Sequence, residues 1–183
     1  MQRLGQYTRH RCFISYHHAD EIEVEQFIND FDHSRDIFIS RGIGAAMSGD
    51  IIESSDSGYI MKRVRQLYLN NSSVTIVLVG RCTWSRRFVD WEVAASLRNT
   101  TNSLRNGLMA ITLPSVQSHP TGLLPPRVAA NVEGQGGYAR YWKYPTSAHS
   151  LSVMIDDAYE ARTTRAQLAD NSLPLLVNSK QCS

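Results

Sequence analysis

Ser73–Leu97, SVTIVLVGRCTWSRRFVDWEVAASL, joins an apolar run to a segment of helical periodicity. Val74–Val79 is a nearly unbroken β-branched and aliphatic run closed by Gly80, the pattern of a strand covered on both faces in a parallel sheet. In the helix that follows, Phe88, Trp91 and Ala95, with Val89, Val93 and Leu97, recur at helical spacing, and Ser85 is a candidate N-cap. Glu92 lies inside this apolar stretch. Its neighbours three and four residues away are Phe88, Val89, Ala95 and Ser96, so no Lys or Arg stands at ion-pair spacing, whereas Asp90 has Arg86 and Arg87. The ordinary reading of a helix glutamate is a solvated group. The competing reading is a partly desolvated carboxylate at the mouth of a cleft. Open parallel sheets bind ligands beyond the carboxyl ends of their strands, and the chain passes from strand to helix at that end.

Outward from this unit the alternation continues. Arg11–Tyr16 (RCFISY) reads as a first short strand, and the polar loop HHAD follows. Asp20 and Glu23 have the spacing of a capping box, opening a helix with the stripe Val24, Phe27, Ile28 and Phe31. Ile37–Ile39 predicts a second strand, and Arg41–Ser57, rich in Gly, Ser and Asp, predicts a loop and a candidate lid. Ile60, Met61, Val64, Leu67 and Tyr68 mark a helix ending at Asn70 and Asn71, and Leu108–Leu113 is a fourth strand stopped by Pro114. Repetition of strand and helix implies right-handed crossovers and a parallel sheet between helix layers. Residues 114–138, rich in Pro and Gly, read as a long loop or insertion. Tyr138–Tyr144 reads as an edge strand, and Leu151, Met154, Ile155, Ala158 and Tyr159 define a last helix. Gln167–Ser183 reads as a tail, either disordered or an extended arm packing Leu173, Leu175 and Leu176 on this subunit or a neighbour.

The 183 residues suit one domain. With 19 basic and 17 acidic residues and no basic block, nucleic acid and an anionic membrane are not expected partners. No apolar run reaches the roughly 18 residues needed to span a bilayer. The start, MQRLGQYTRHR, lacks the apolar segment of a secretory signal, so a cytoplasmic protein is expected. Cys12, Cys82 and Cys182 are odd in number and far apart, which predicts reduced thiols and neither a disulfide framework nor a zinc site. Cys12 reads as a small buried hydrophobe. Cys82 lies near Glu92, but no histidine is tied to it as a base.

Other candidate signals are weaker. Gly42 and Gly44 read as a turn sooner than a phosphate cradle, and no G-x-G-x-x-G occupies the first turn, Tyr16–Asp20, which disfavours a dehydrogenase. His17 and His18 are read as polar loop residues and no metal site is expected. Phe13, Tyr16, Trp84 and Phe88 are either core or a platform for nicotinamide or adenine.

Phe13-Ile14-Ser15-Tyr16-His17, Asn71-Ser72-Ser73-Val74-Thr75 and Arg86-Arg87-Phe88-Val89-Asp90-Trp91-Glu92-Val93 together resemble a TIR-like domain, nearest to the ThsB family of the bacterial Thoeris antiphage system. The resemblance spans roughly residues 10–165, leaving 1–9 as an N-terminal extension and 166–183 as a C-terminal tail. It implies a flavodoxin-like three-layer α/β sandwich with a mainly parallel central sheet. It also implies cleavage of NAD+ between nicotinamide and ribose, with NAD+ as substrate and no separate cofactor. The product would be an ADP-ribose-derived, cyclic messenger that activates a separate effector, ThsA, once phage infection is sensed. The family pattern is an aromatic, usually Trp, four residues before a catalytic Glu. Here Phe88 and Glu92 hold those positions, and Phe88 keeps the ring without the indole N–H. Phe13, Ser15, Tyr16, His17 and Phe88 are the substrate-binding residues expected beside catalytic Glu92, and self-association is an expected property of such domains. The rival expectation is a non-catalytic TIR-like module that binds a nucleotide or a protein. A receiver domain is disfavoured. The first strand ends in Ser15-Tyr16-His17 without clustered acids, and Gly80-Arg81-Cys82 after the third strand offers no aspartate for phosphorylation.

Overall fold

The buried run Val74–Val79 forms the middle of a five-stranded, all-parallel sheet in the computed structural model, which describes residues 8–33, 38–41, 49–69, 71–118, 124–132 and 136–182. The elements are β1 His10–Ser15, α1 Glu21–Ile28, β2 Phe38–Arg41, α2 Gly49–Glu53, α3 Ser57–Leu67, β3 Val74–Val79, α4 Arg87–Ser96, β4 Gly107–Thr112, α5 Pro126–Val132, β5 Arg140–Trp142 and α6 Ala148–Thr164. The strand order β2-β1-β3-β4-β5 is that of a flavodoxin-like sheet, in which the chain reverses its direction of travel between β1 and β3. Ser15, the last residue of β1, pairs with Val77 of β3 at this switch point.

Side-chain alternation along the strands divides the core into two faces. Cys12 and Ile14, with Ile76, Leu78, Met109 and Ile111, pack beneath α1 and α6. Phe13 points the other way, against Ile60 and Val64 of α3 and Trp91 and Ala95 of α4. Val77, Val79, Leu108 and Ala110 meet Val89 and Val93 of α4 and Val128 of α5. A Cβ at Gly107 would collide with the backbone carbonyl of Ala158, so glycine at the start of β4 is what lets α6 lie close to the sheet.

Several expectations need correction. The Arg41–Ser57 segment contains α2, and α3 begins at Ser57, where the Asp56 side chain accepts hydrogen bonds from Gly58 N and Tyr59 N. The stretch read as a loop over 114–138 contains α5. Neither predicted cap at the candidate site forms. Asp20 makes no capping bond to α1, and α4 starts after Arg86, while the Ser85 hydroxyl donates to Cys82 O. Asp90 takes its partner from across the fold. Arg127 of α5 donates from Nε to Asp90 Oδ1 at 2.9 Å and from Nη2 to Oδ2 at 3.3 Å, with the two side chains 1% and 5% exposed.

The tail is an ordered arm on this same subunit. Leu176 N donates to Asp90 Oδ2, Trp91 Nε1 donates to Leu176 O, Arg127 Nη2 donates to Pro174 O and Lys180 N donates to Ser85 O. Cys182 at its end is disulfide-bonded to Cys82, 100 residues earlier, which overturns the expectation of reduced thiols. Cys12 is free and buried, as expected.

Two outcomes follow from this arrangement. Arg127→Ala leaves the Asp90 carboxylate buried and unpaired, and urea unfolding is expected to show a loss of about 3–5 kcal/mol. Cys182→Ser removes a crosslink closing a long loop, and the expected loss is up to about 5 kcal/mol in the chain-entropy description. Reductant should bring the wild type down to the variant's midpoint and leave the variant unmoved. A wild type insensitive to reductant would count against the crosslink.

Candidate functional site

The alternation that sends Phe13 beneath α3 and α4 sends Ser15, two residues on, to the same face at the carboxyl end of β1. Glu92 comes down from α4 to meet it, and Ser15 Oγ donates to Glu92 Oε2 at 2.6 Å. Residues 90 and 92 are about 200° apart around a helix. Asp90 therefore turns toward α5 and the tail, and Glu92 turns toward the switch point. The two carboxylates meet opposite conditions. Asp90 has a guanidinium and a backbone amide, whereas burial pushes the Glu92 carboxyl up to about 7, opposed only by the Ser15 hydrogen bond. Among the described residues no cation is paired with Glu92.

The other expected site residues are not all gathered there. Phe88 stands one turn before Glu92 on the same side of α4, half-buried, its ring edge-on to Trp91 at 5.5 Å. Phe13, 1% exposed, is core beneath the site and presents no open surface. Tyr16 packs against the opposite, α1 and α6 side of the sheet. His17 is half-buried just past β1. Burial first, then the positive charge of Arg86 and the neighbouring His18, lower it to about 4, which keeps the imidazole neutral near pH 7. Gly42 and Gly44, with the rest of 42–48 in the candidate lid, lie outside the described residues.

Asp20, Gly80, Thr83 and Arg86, given other roles or none by the sequence reading, join this end of the sheet. Asp20 is not a cap; its carboxylate accepts a hydrogen bond from Thr83 Oγ1 at 3.4 Å, and Thr83 Oγ1 in turn accepts from Gly80 N at 2.9 Å. A Cβ at Gly80 would strike the Asp20 carboxylate, so the glycine that ends β3 also makes room for an acid. Burial and the nearby Glu23 raise that carboxyl above its ordinary value. Arg86, whose Nε donates to Cys82 O, bears electrostatically on both His17 and Asp20.

The chemistry open to this arrangement is that of a single half-buried carboxylate titrating near neutrality and oriented by one hydroxyl. It can stabilise a developing positive charge or take up a proton. Among the described residues no group of three or more His, Cys, Asp or Glu could hold a metal ion, and no helix is long and apolar enough to cross a membrane.

Residues 13–118 match the family model of the Thoeris protein ThsB, TIR-like domain. That span covers more than half of the chain, from Phe13 through the end of β4, and includes both Ser15 and Glu92. Among curated proteins none matches this sequence.

Because the Glu92 carboxyl binds its proton more tightly when folded than when unfolded, stability should fall as pH rises between its ordinary value of 4.5 and about 7, and level off above. Urea denaturation across this window should show a component of roughly 1–3 kcal/mol that Glu92→Gln lacks. A variant with the wild-type pH dependence would contradict the desolvated environment.

Proposed function

The chain belongs to the TIR-like domain family of the Thoeris protein ThsB, and from that membership we propose that it is an NAD+-processing enzyme of antiphage defence with Glu92 as its catalytic carboxylate. The observation that carries the reading is the Ser15–Glu92 pair at the switch point of the sheet, where a carboxylate lies half-buried with no paired cation among the described residues. Ligands of such sheets enter at this crevice.

The bond broken is that between the nicotinamide nitrogen and the ribose anomeric carbon. Its electron pair leaves with the ring, giving neutral nicotinamide and an oxocarbenium-like ribosyl group, the type of charge that flanking carboxylates stabilise in glycoside cleavage. Glu92, ionised, supplies the opposing charge, and the Ser15 hydroxyl holds the carboxylate in one orientation. Phe88, on the same side of α4, offers an apolar ring for the nicotinamide, and His17 borders the end of β1 as a neutral polar group. The anomeric carbon is then captured by a nucleophile. Capture by a group of the same molecule, which loses its proton to solvent, yields a cyclic ADP-ribose-derived messenger, and capture by water yields ADP-ribose. Exclusion of water favours the first. In this reading NAD+ is substrate with no further cofactor. The protein works in the cytoplasm, responds to a phage trigger, self-associates, and acts on a ThsA-like effector only through the diffusible product.

The test is mass spectrometry of NAD+ incubated with concentrated protein, with and without lysate of phage-infected cells. Wild type should convert NAD+ to nicotinamide and an ADP-ribose-derived species, and Glu92→Gln should be slower by at least about a hundredfold. The rate should rise as the carboxyl ionises near pH 7 and plateau above it. NAD+ surviving every condition with folded protein would favour the non-catalytic binding module, and a fully active Glu92→Gln would remove Glu92 from the chemistry.

A further inference from the structure

At the amino end of the sheet, opposite the Ser15–Glu92 pair, a cleft of about 960 Å³ opens between α3 and the loop 98–103 that follows α4. Its cations are Lys62, Arg65 and Arg98, and among the described residues no Asp or Glu lines it. In a chain whose 19 basic residues are nearly matched by 17 acidic ones, an acid-free wall bearing three cations is a local segregation of charge. Arg65 is fixed in place. Its Nη1 donates to Ala95 O at 3.2 Å, and its Nη2 donates to Ser103 Oγ at 2.7 Å and to Leu104 O at 2.9 Å. These acceptors are neutral, and among the described residues no carboxylate forms an ion pair with the guanidinium. Burial and the like charges of Arg162 and Arg98 both disfavour its protonated form. Lys62 and Arg98 are exposed at the rim, and neither makes an ion pair among the described residues. Thr100 and Ser103 add hydroxyls that already exchange hydrogen bonds within a tight turn.

We propose that this cleft is a binding site for a phosphorylated small molecule, with Arg65 as the fixed cation and Lys62 and Arg98 closing on the phosphate oxygens. Arginine and lysine together are the usual donors to phosphate, and a concave site of this size suits a small ligand better than a flat protein surface. The partner is defined by clustered negative charge, which free pyrophosphate and the diphosphate of a nucleotide share. The site does not depend on the reading of Glu92.

The test is calorimetric titration of the full chain with inorganic pyrophosphate and, in a separate arm, with ADP, at low and at raised salt. The expected result is saturable binding at one site per chain that weakens as salt screens it. In Lys62→Gln/Arg98→Gln the affinity should fall at least about tenfold, and Glu92→Gln should bind as wild type does. Tighter binding of ADP than of pyrophosphate would identify a nucleotide as the source of the phosphate. Absence of saturable binding, equal binding by the double variant, loss of binding in Glu92→Gln, or tighter binding of a polyglutamate peptide than of either phosphate would each overturn the proposal. Circular dichroism establishes that the variants fold. NAD+ consumption by Lys62→Gln/Arg98→Gln, read alongside, keeps this site and the Glu92 site independent: failure at one leaves the other standing.

Discussion

The position of α4 rests on a buried ion pair. Asp90 and Arg127 are almost wholly out of water, and a pair so placed is favourable only when its remaining lone pairs and protons are also met. Here they are. Arg127 Nη1 reaches Asn171 Oδ1, its Nη2 reaches Pro174 O, and Asp90 Oδ2 also accepts from Leu176 N. A single network thus joins α4, α5 and the tail. Apolar packing alone would let a short helix slide or roll on its sheet. Hydrogen bonds of fixed direction at Asp90 define both its rotation and its height.

That rotation decides where Glu92 goes. With Asp90 turned toward α5, a carboxylate two residues later must face the first strand, and Ser15 is the polar group that strand offers at its last position. The two acids of one helix therefore carry different work. One is paired and structural; the other has no paired cation among the described residues and is pushed by burial up to about 7. A carboxylate desolvated in this way costs stability once it is ionised. The switch point is where sheets of this kind open a crevice, α4 supplies the acid, and the ion pair on the far face of α4 fixes its rotation.

The sequence made the frame legible where burial was complete and apolar. β3 and β4 are covered on both faces and read as continuous hydrophobic runs, and α1, α3, α4 and α6 carry stripes at helical spacing. α5 escaped because its buried side includes Arg127 and Asn131, so the helix has no apolar period to find. The misread caps at Asp20 and Ser85 share one cause. Short polar residues bond wherever a partner lies, and the partners here come from the loop after β3 and from a 3-10 turn. Glu92 stood out by what it lacked, a cation at helical spacing. Its link to Ser15 spans 77 residues and depends on strand order, which alternation of elements does not specify.

The Cys82–Cys182 bond sits oddly with the expectation of a reducing cytoplasm, since thiols there are kept reduced. The structure relieves part of the tension. The disulfide lies at the extreme end of the arm, beyond the contacts that matter for α4: Asn171 to Ala94, Leu176 to Asp90 and Trp91, and Val177 to Arg87 are all made before the chain reaches Cys182. Opening the bond would free the last residues and restore conformational entropy to the unfolded chain. It would not by itself withdraw a hydrogen bond from Asp90. The crosslink acts mainly on the stability of the whole domain, and the ion pair acts on the geometry of its site. The aim of Glu92 is therefore set by the part of the arm that redox chemistry does not touch.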